Sequence, residues 1–66
     1  MIEGIYIVSD IDSGVHTGFV VFFERGKYCI SKFTACTWPF IMEHAKARIP
    51  GPEQSPIQVF TCTLED

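Results

Sequence analysis

The stretch Gly18-Phe-Val-Val-Phe-Phe-Glu-Arg-Gly-Lys-Tyr-Cys-Ile-Ser-Lys-Phe33 is two runs of β-branched and aromatic residues around Arg25-Gly26. Such residues suit a pleated, packed surface, and the spacing predicts strands over Phe19–Glu24 and Lys27–Phe33. Gly26 can supply the positive φ that a tight hairpin turn needs. Period-2 alternation places Phe19, Val21 and Phe23 on one face and Val20 and Phe22 on the other. One face meets a helix; the other has no cover in so short a chain and must meet solvent, a second copy or a partner. In the third strand Tyr28 and Ile30 oppose Cys29, Ser31 and Phe33.

Gly4–Ile11 reads as a first strand, with Ile5, Ile7 and Ile11 on one face and Tyr6 and Val8 on the other. Both faces are apolar, which predicts a central strand covered on both sides. Asp10-Ile-Asp-Ser-Gly-Val-His-Thr-Gly18 reads as a wide loop of turn-forming residues. After the hairpin, Thr37 is a predicted N-cap whose hydroxyl can accept a first-turn N–H, and Pro39 fits the first turn of the helix. The helix is expected to run to about Ile49, where Pro50-Gly-Pro52 stops it. Its core stripe is Trp38, Ile41, Met42, Ala45 and Ile49, with Phe40, His44 and Ala47 roughly opposite. Ile57–Leu64 is the last strand, with Phe60, Cys62 and Leu64 on one face. The order is β-β-β-α-β, an α+β fold: an antiparallel meander of three strands, then a helix and a fourth strand joined by a right-handed crossover. Residues 1–66 form one domain on this reading.

Length makes the apolar excess matter. A chain of 66 residues buries only about 60% of its unfolded surface. Its total stability is therefore expected at about 3–10 kcal/mol. Yet 47% of the residues are hydrophobic and 14% aromatic, a large load for one small core, so part of it is expected to close an interface. Cys29, Cys36 and Cys62 have no short-spaced pairing and read as reduced packing residues, which favours a cytoplasmic setting. The opening Met-Ile-Glu-Gly has no basic region before an apolar run, so no signal peptide is expected. No apolar segment has the length of a membrane span. The net charge of −3 argues against phosphate-driven nucleic-acid binding. Arg25, Lys27 and Lys32 therefore read as solubilising charge around a hairpin rather than as a stacking and phosphate surface.

Candidate chemistry is sparse. Asp10, Asp12 and His16 could form a divalent-metal loop, but a calcium loop needs ligands at further alternate positions and a distal glutamate. Here Gly14 occupies the fifth position, and turn chemistry accounts for the aspartates. Asp12 and Glu65 are the alternative metal pair: if the first and last strands are parallel neighbours, their C-terminal ends meet, and two carboxylates there could hold Mg²⁺ and activate water. Asp12-Ser-Gly14 with Thr17-Gly-Phe19 resembles the first-strand signature of the RuvC-like branch of the ribonuclease H superfamily. The spacing between its glycines is one residue short, and the elements carrying that branch's remaining acidic ligands have no counterpart in these residues. No cysteine is matched by spacing to His16 or His44 as a nucleophile and base, and His44 on the outer helix face reads as solvated.

A second resemblance covers more of the chain. Gly18-Phe-Val-Val-Phe-Phe23, Cys29-Ile30, Thr37 through Glu43-His-Ala-Lys46, and Ile49-Pro-Gly-Pro resemble the HicB-like antitoxins. The family's Pro-Asp-Leu-Pro-Gly-Cys segment is here Glu24-Arg-Gly-Lys-Tyr-Cys29, and Pro39 and Phe40 stand where acidic residues are usual. The resemblance implies a partial ribonuclease H-like β-β-β-α-β fold and an inhibitory role, viral or prokaryotic.

The expected function is a non-catalytic protein-binding module, antitoxin-like or a virus-encoded inhibitor, acting through a sheet edge and an aromatic surface. Phe19, Phe23, Arg25, Tyr28, Trp38, Phe40 and His44 are the candidate partner-binding residues. A homodimer is expected, since two-fold contacts are the commonest, and neither a cofactor nor a membrane is implied. The alternatives are a degenerate Mg²⁺-dependent nucleic-acid enzyme using Asp12 and Glu65, and a structural homodimer within a larger assembly.

Overall fold

A computed structural model describes residues 2–49 and 57–65. The order is β1 (Gly4–Asp10), β2 (His16–Glu24), β3 (Lys27–Ala35), α1 (Trp38–Ala47) and β4 (Val59–Leu64). The strands form one sheet in the order β3-β2-β1-β4. β1 pairs antiparallel with β2 and parallel with β4, and β2 pairs antiparallel with β3. The β-β-β-α-β order and the α+β class are as the sequence pattern predicts, and β1 is central.

The hairpin between β2 and β3 closes on Glu24 and Lys27, with Arg25 (φ 54°) and Gly26 (φ 80°) both left-handed. Two positive φ angles give the turn the twist of the strands it joins. β2 begins at His16, three residues before the predicted start, and β3 runs on to Ala35. Pairing with both neighbours recruits His16 and Thr17 into the ladder despite their turn-rich surroundings. The remaining loop is tied by Asp10. Its Oδ1 accepts the N–H groups of Asp12 (2.9 Å) and Ser13 (3.4 Å), and its carbonyl accepts that of Gly14 (2.8 Å). This is the turn chemistry expected of these residues.

The core lies on one side of the sheet. Ile5 and Ile7 of β1, Val20 of β2 and Phe33 of β3 are buried against Ile41 and Ala45 of α1, with Phe22, Ala35, Met42 and Ile49 packed around them. The predicted helix stripe holds except at Trp38, which is 43% exposed. Thr37 is the N-cap in extended conformation, but its hydroxyl makes no capping bond; the expected cap is a backbone position only. Pro39 stands in the first turn as predicted. The helix ends at Ala47, and the predicted stop at Pro50-Gly-Pro52 lies outside the described residues.

Two further expectations do not hold. β1 is central, but only one of its faces is covered, because α1 packs on one side of the sheet and nothing among the described residues covers the opposite side. The cysteines are not all packing residues: Cys29 is half-buried, and Cys36 and Cys62 are exposed. None of the three is joined to another.

Candidate functional site

The strand registers assign every side chain of the sheet to a face. Val20 and Ile5 are partners beneath the helix, so the alternate positions share the helix-free face. Across that face run Tyr28–Phe23, then Ile30–Val21–Gly4, then Lys32–Phe19–Tyr6–Phe60, then Thr34–Thr17–Val8–Cys62, and finally Asp10–Leu64. Its centre is apolar and aromatic. Its charged side chains stand at its margins, Lys32 on the outer strand β3 and Asp10 in the last row. Among the described residues Val21 is the only side chain buried on it.

The aromatic groups are set by local contacts. The Tyr6 and Phe60 rings stack with centroids 4.8 Å apart and planes 19° from parallel. Gly4 makes room for this pair: a Cβ there would fall 3.1 Å from the Phe60 ring and 2.8 Å from the Gln58 carbonyl oxygen. The Tyr6 hydroxyl donates to the Ile2 carbonyl. At the hairpin end Phe23 and Tyr28 meet edge to face at 5.0 Å, the geometry that the ring quadrupoles favour. The Phe23 N–H donates to Glu3 Oε2 at 2.9 Å, which ties the N-terminal segment to this end of the face. Phe23, Tyr28, Ile30, Phe60 and Leu64 are all exposed. Large exposed apolar patches on small proteins mark interaction surfaces.

The predicted partner-binding residues therefore divide. Phe19, Phe23 and Tyr28 stand together on the helix-free face, and Arg25 occupies the hairpin tip beside them. Trp38, Phe40 and His44 belong to α1, on the other side of the sheet. Phe40 is 60% exposed. His44 lies 6.2 Å from the Phe33 ring, and Trp38 meets His16 edge-on at 5.7 Å.

No family model matches the chain, and no curated protein or solved structure matches it. What the site can do must come from its own geometry.

Sequence pattern identified the aromatic positions of β2 and β3 but passed over Tyr6, Ile30, Phe60 and Leu64. Ile30 joins the face through its pairing with Val21, whereas the contribution of Phe60 and Leu64 depends on β4 joining β1 in parallel register, which brings Phe60 against Tyr6. A Ser9–His16 pair was also missed. These residues are cross-strand partners on the helix side, and a 2.6 Å hydrogen bond joins Ser9 Oγ to His16 Nδ1.

β1 and β4 are parallel neighbours, so their C-terminal ends do meet: the Ile11 N–H donates to the Leu64 carbonyl at 3.2 Å. Asp12 and Glu65 follow directly and are both exposed. Among the described residues no three His, Cys, Asp or Glu side chains gather as a metal site. No helix among those residues is long and apolar enough to cross a membrane.

Proposed function

We propose that this domain is a non-catalytic protein-binding module that works by covering its helix-free sheet face with an apolar protein surface. One observation carries the reading: an aromatic and aliphatic face spans all four strands with no layer over it among the described residues, beginning with Phe23 and Tyr28 at the hairpin and reaching Phe60 and Leu64 on β4. Apolar area removed from water stabilises association by about 25 cal/mol per Å² before the costs of binding. Tyr and Phe are efficient anchors because large rigid rings lose little rotamer freedom. Such a chain acts by occupying a partner, as an antitoxin-like or virus-encoded inhibitor does. The cytoplasm suits its unpaired cysteines.

The test compares capture from an extract of the source cells by three proteins: the unmodified chain, a Phe23→Ser/Tyr28→Ser variant, and Phe40→Ser on the far side of the sheet. The face variant is expected to lose a partner that the helix variant retains. Capture that survives the face variant and fails with Phe40→Ser would overturn the reading.

A second reading is favoured by the meeting of the β1 and β4 ends. It takes Asp12 and Glu65 as Mg²⁺ ligands in a degenerate nucleic-acid enzyme. Mg²⁺ should then raise the unfolding midpoint of the unmodified chain, and Asp12→Asn and Glu65→Gln should each abolish the rise. An unmoved midpoint in the unmodified chain rejects it.

A further inference from the structure

The two edges of the sheet differ. β3 is the outer strand on one side and carries Lys27 and Lys32. Lysines along an edge are a common guard against strand pairing. β4 is the outer strand on the other side, and Ile57-Gln-Val-Phe-Thr-Cys-Thr-Leu64 contains no charge and no proline. Every residue of β4 is exposed.

The backbone of β4 has a defined polarity. The Ile5 N–H donates to the Gln58 carbonyl at 2.9 Å and the Ile11 N–H to the Leu64 carbonyl at 3.2 Å. In a parallel ladder these bonds alternate, so the even-numbered residues of β4 bond to β1. Val59, Thr61 and Thr63 therefore direct their N–H and C=O groups away from the sheet.

From this we infer that β4 is the seam of a two-fold dimer, pairing antiparallel with β4 of a second copy to form one continuous sheet. Three features favour a second copy at this edge. Two-fold pairing brings the run against itself, and since it has no charge, no like charges meet within it. The same operation at the β3 edge would set lysines of the two copies along one seam. Joining β3 of one copy to β4 of the next would build an open-ended sheet, whereas the two-fold contact closes. The seam also sets the Phe60 and Leu64 positions of the two copies side by side, which enlarges the aromatic face rather than covering it. The inference therefore concerns a surface separate from the proposed partner face.

The test is sedimentation of the whole chain at micromolar concentration, beside Thr61→Pro and Thr61→Lys. Proline at an edge is tolerated where its missing N–H would face outward, so Thr61→Pro should keep the circular dichroism of the fold. The unmodified chain should sediment as a dimer and both variants as monomers. If Thr61→Pro fails to fold, the exposed Thr61→Lys decides alone. Cross-linking with a short thiol-to-thiol reagent supplies a second reading: a Cys29→Ser/Cys36→Ser variant, which retains Cys62, should still give covalent dimer. A monomeric unmodified chain, a dimer that survives Thr61→Lys, or a dimer without a Cys62 cross-link would each overturn the inference.

Discussion

The Phe33 ring occupies the space a side chain at Gly18 would need. The two are cross-strand partners, and a Cβ at Gly18 would fall 2.3 Å from Cε2 of that ring. Above the ring, the Arg48 guanidinium stands 4.7 Å from its centroid and donates from Nη1 to the His44 carbonyl at 2.8 Å. The ring is thus clamped between strand and helix and has little freedom to retreat. Gly18→Ala should cost about 1–3 kcal/mol, the usual range for forcing extra atoms into a packed core. Urea unfolding checks this, and an unchanged midpoint would show that the ring moves aside freely.

Arg25 makes the opposite prediction. It holds a left-handed φ of 54° in the two-residue turn, next to Gly26 at 80°. That conformation costs an ordinary L-residue about 1–2 kcal/mol, and asparagine tolerates it better. Arg25→Asn should therefore stabilise the domain by about 0.5–1 kcal/mol. A rise in thermal midpoint without a change in circular dichroism is the expected result; a fall would mean that the Arg25 side chain holds the turn by a contact of its own.

These two positions also show what the residue pattern can and cannot convey. Period 2 in Phe19–Phe23 correctly separated a helix-covered face from an open one, because alternation is a property of the single strand. The turn at Arg25-Gly26 was legible through Gly26, whereas the strained φ of Arg25 was not, since nothing in an arginine announces it. The coverage of β1 was misjudged for a related reason. Apolar residues on both faces of Gly4–Ile11 indicate that each face avoids water, but not that this chain supplies both covers. Trp38 belongs to the helix stripe by angle, yet stands at its first turn, where the stripe runs past the core toward His16. The aromatic surface was half visible: Phe23 and Tyr28 sit on one hairpin, whereas Phe60 joins Tyr6 only through a pairing across most of the chain.

The helix offers a graded comparison. Ile41 is fully buried, Trp38 is 43% exposed and Phe40 is 60% exposed. Ile41→Ala removes core volume and should cost about 2–5 kcal/mol, enough to unfold much of so small a domain. Phe40→Ala should lie within about 0.5 kcal/mol of the unmodified chain. Trp38→Ala should fall between them and below the roughly 3–5 kcal/mol of a fully buried aromatic. Chemical denaturation of the three variants tests the order. A Trp38→Ala chain that is unfolded in buffer would assign this ring to the core.

The Ser9–His16 bond invites a nucleophile-and-base reading, but its surroundings favour a structural link between β1 and β2. Both residues are half-buried cross-strand partners on the helix side, and the indole of Trp38 closes edge-on over the His16 ring. A 2.6 Å contact to Nδ1 is a direct bond rather than a bridged one, and removing either partner leaves a half-buried polar atom to find water. Ser9→Ala should cost about 0.5–1.5 kcal/mol, the net worth of a typical hydrogen bond. The decisive measurement is a double-mutant cycle with Ser9→Ala, His16→Ala and both together. If the bond fastens the strands, the two losses will overlap, with a coupling of about 0.5–1.5 kcal/mol. If the losses simply add, Ser9 and His16 contribute independently, and the Trp38 contact rather than the hydrogen bond is what holds His16 in place.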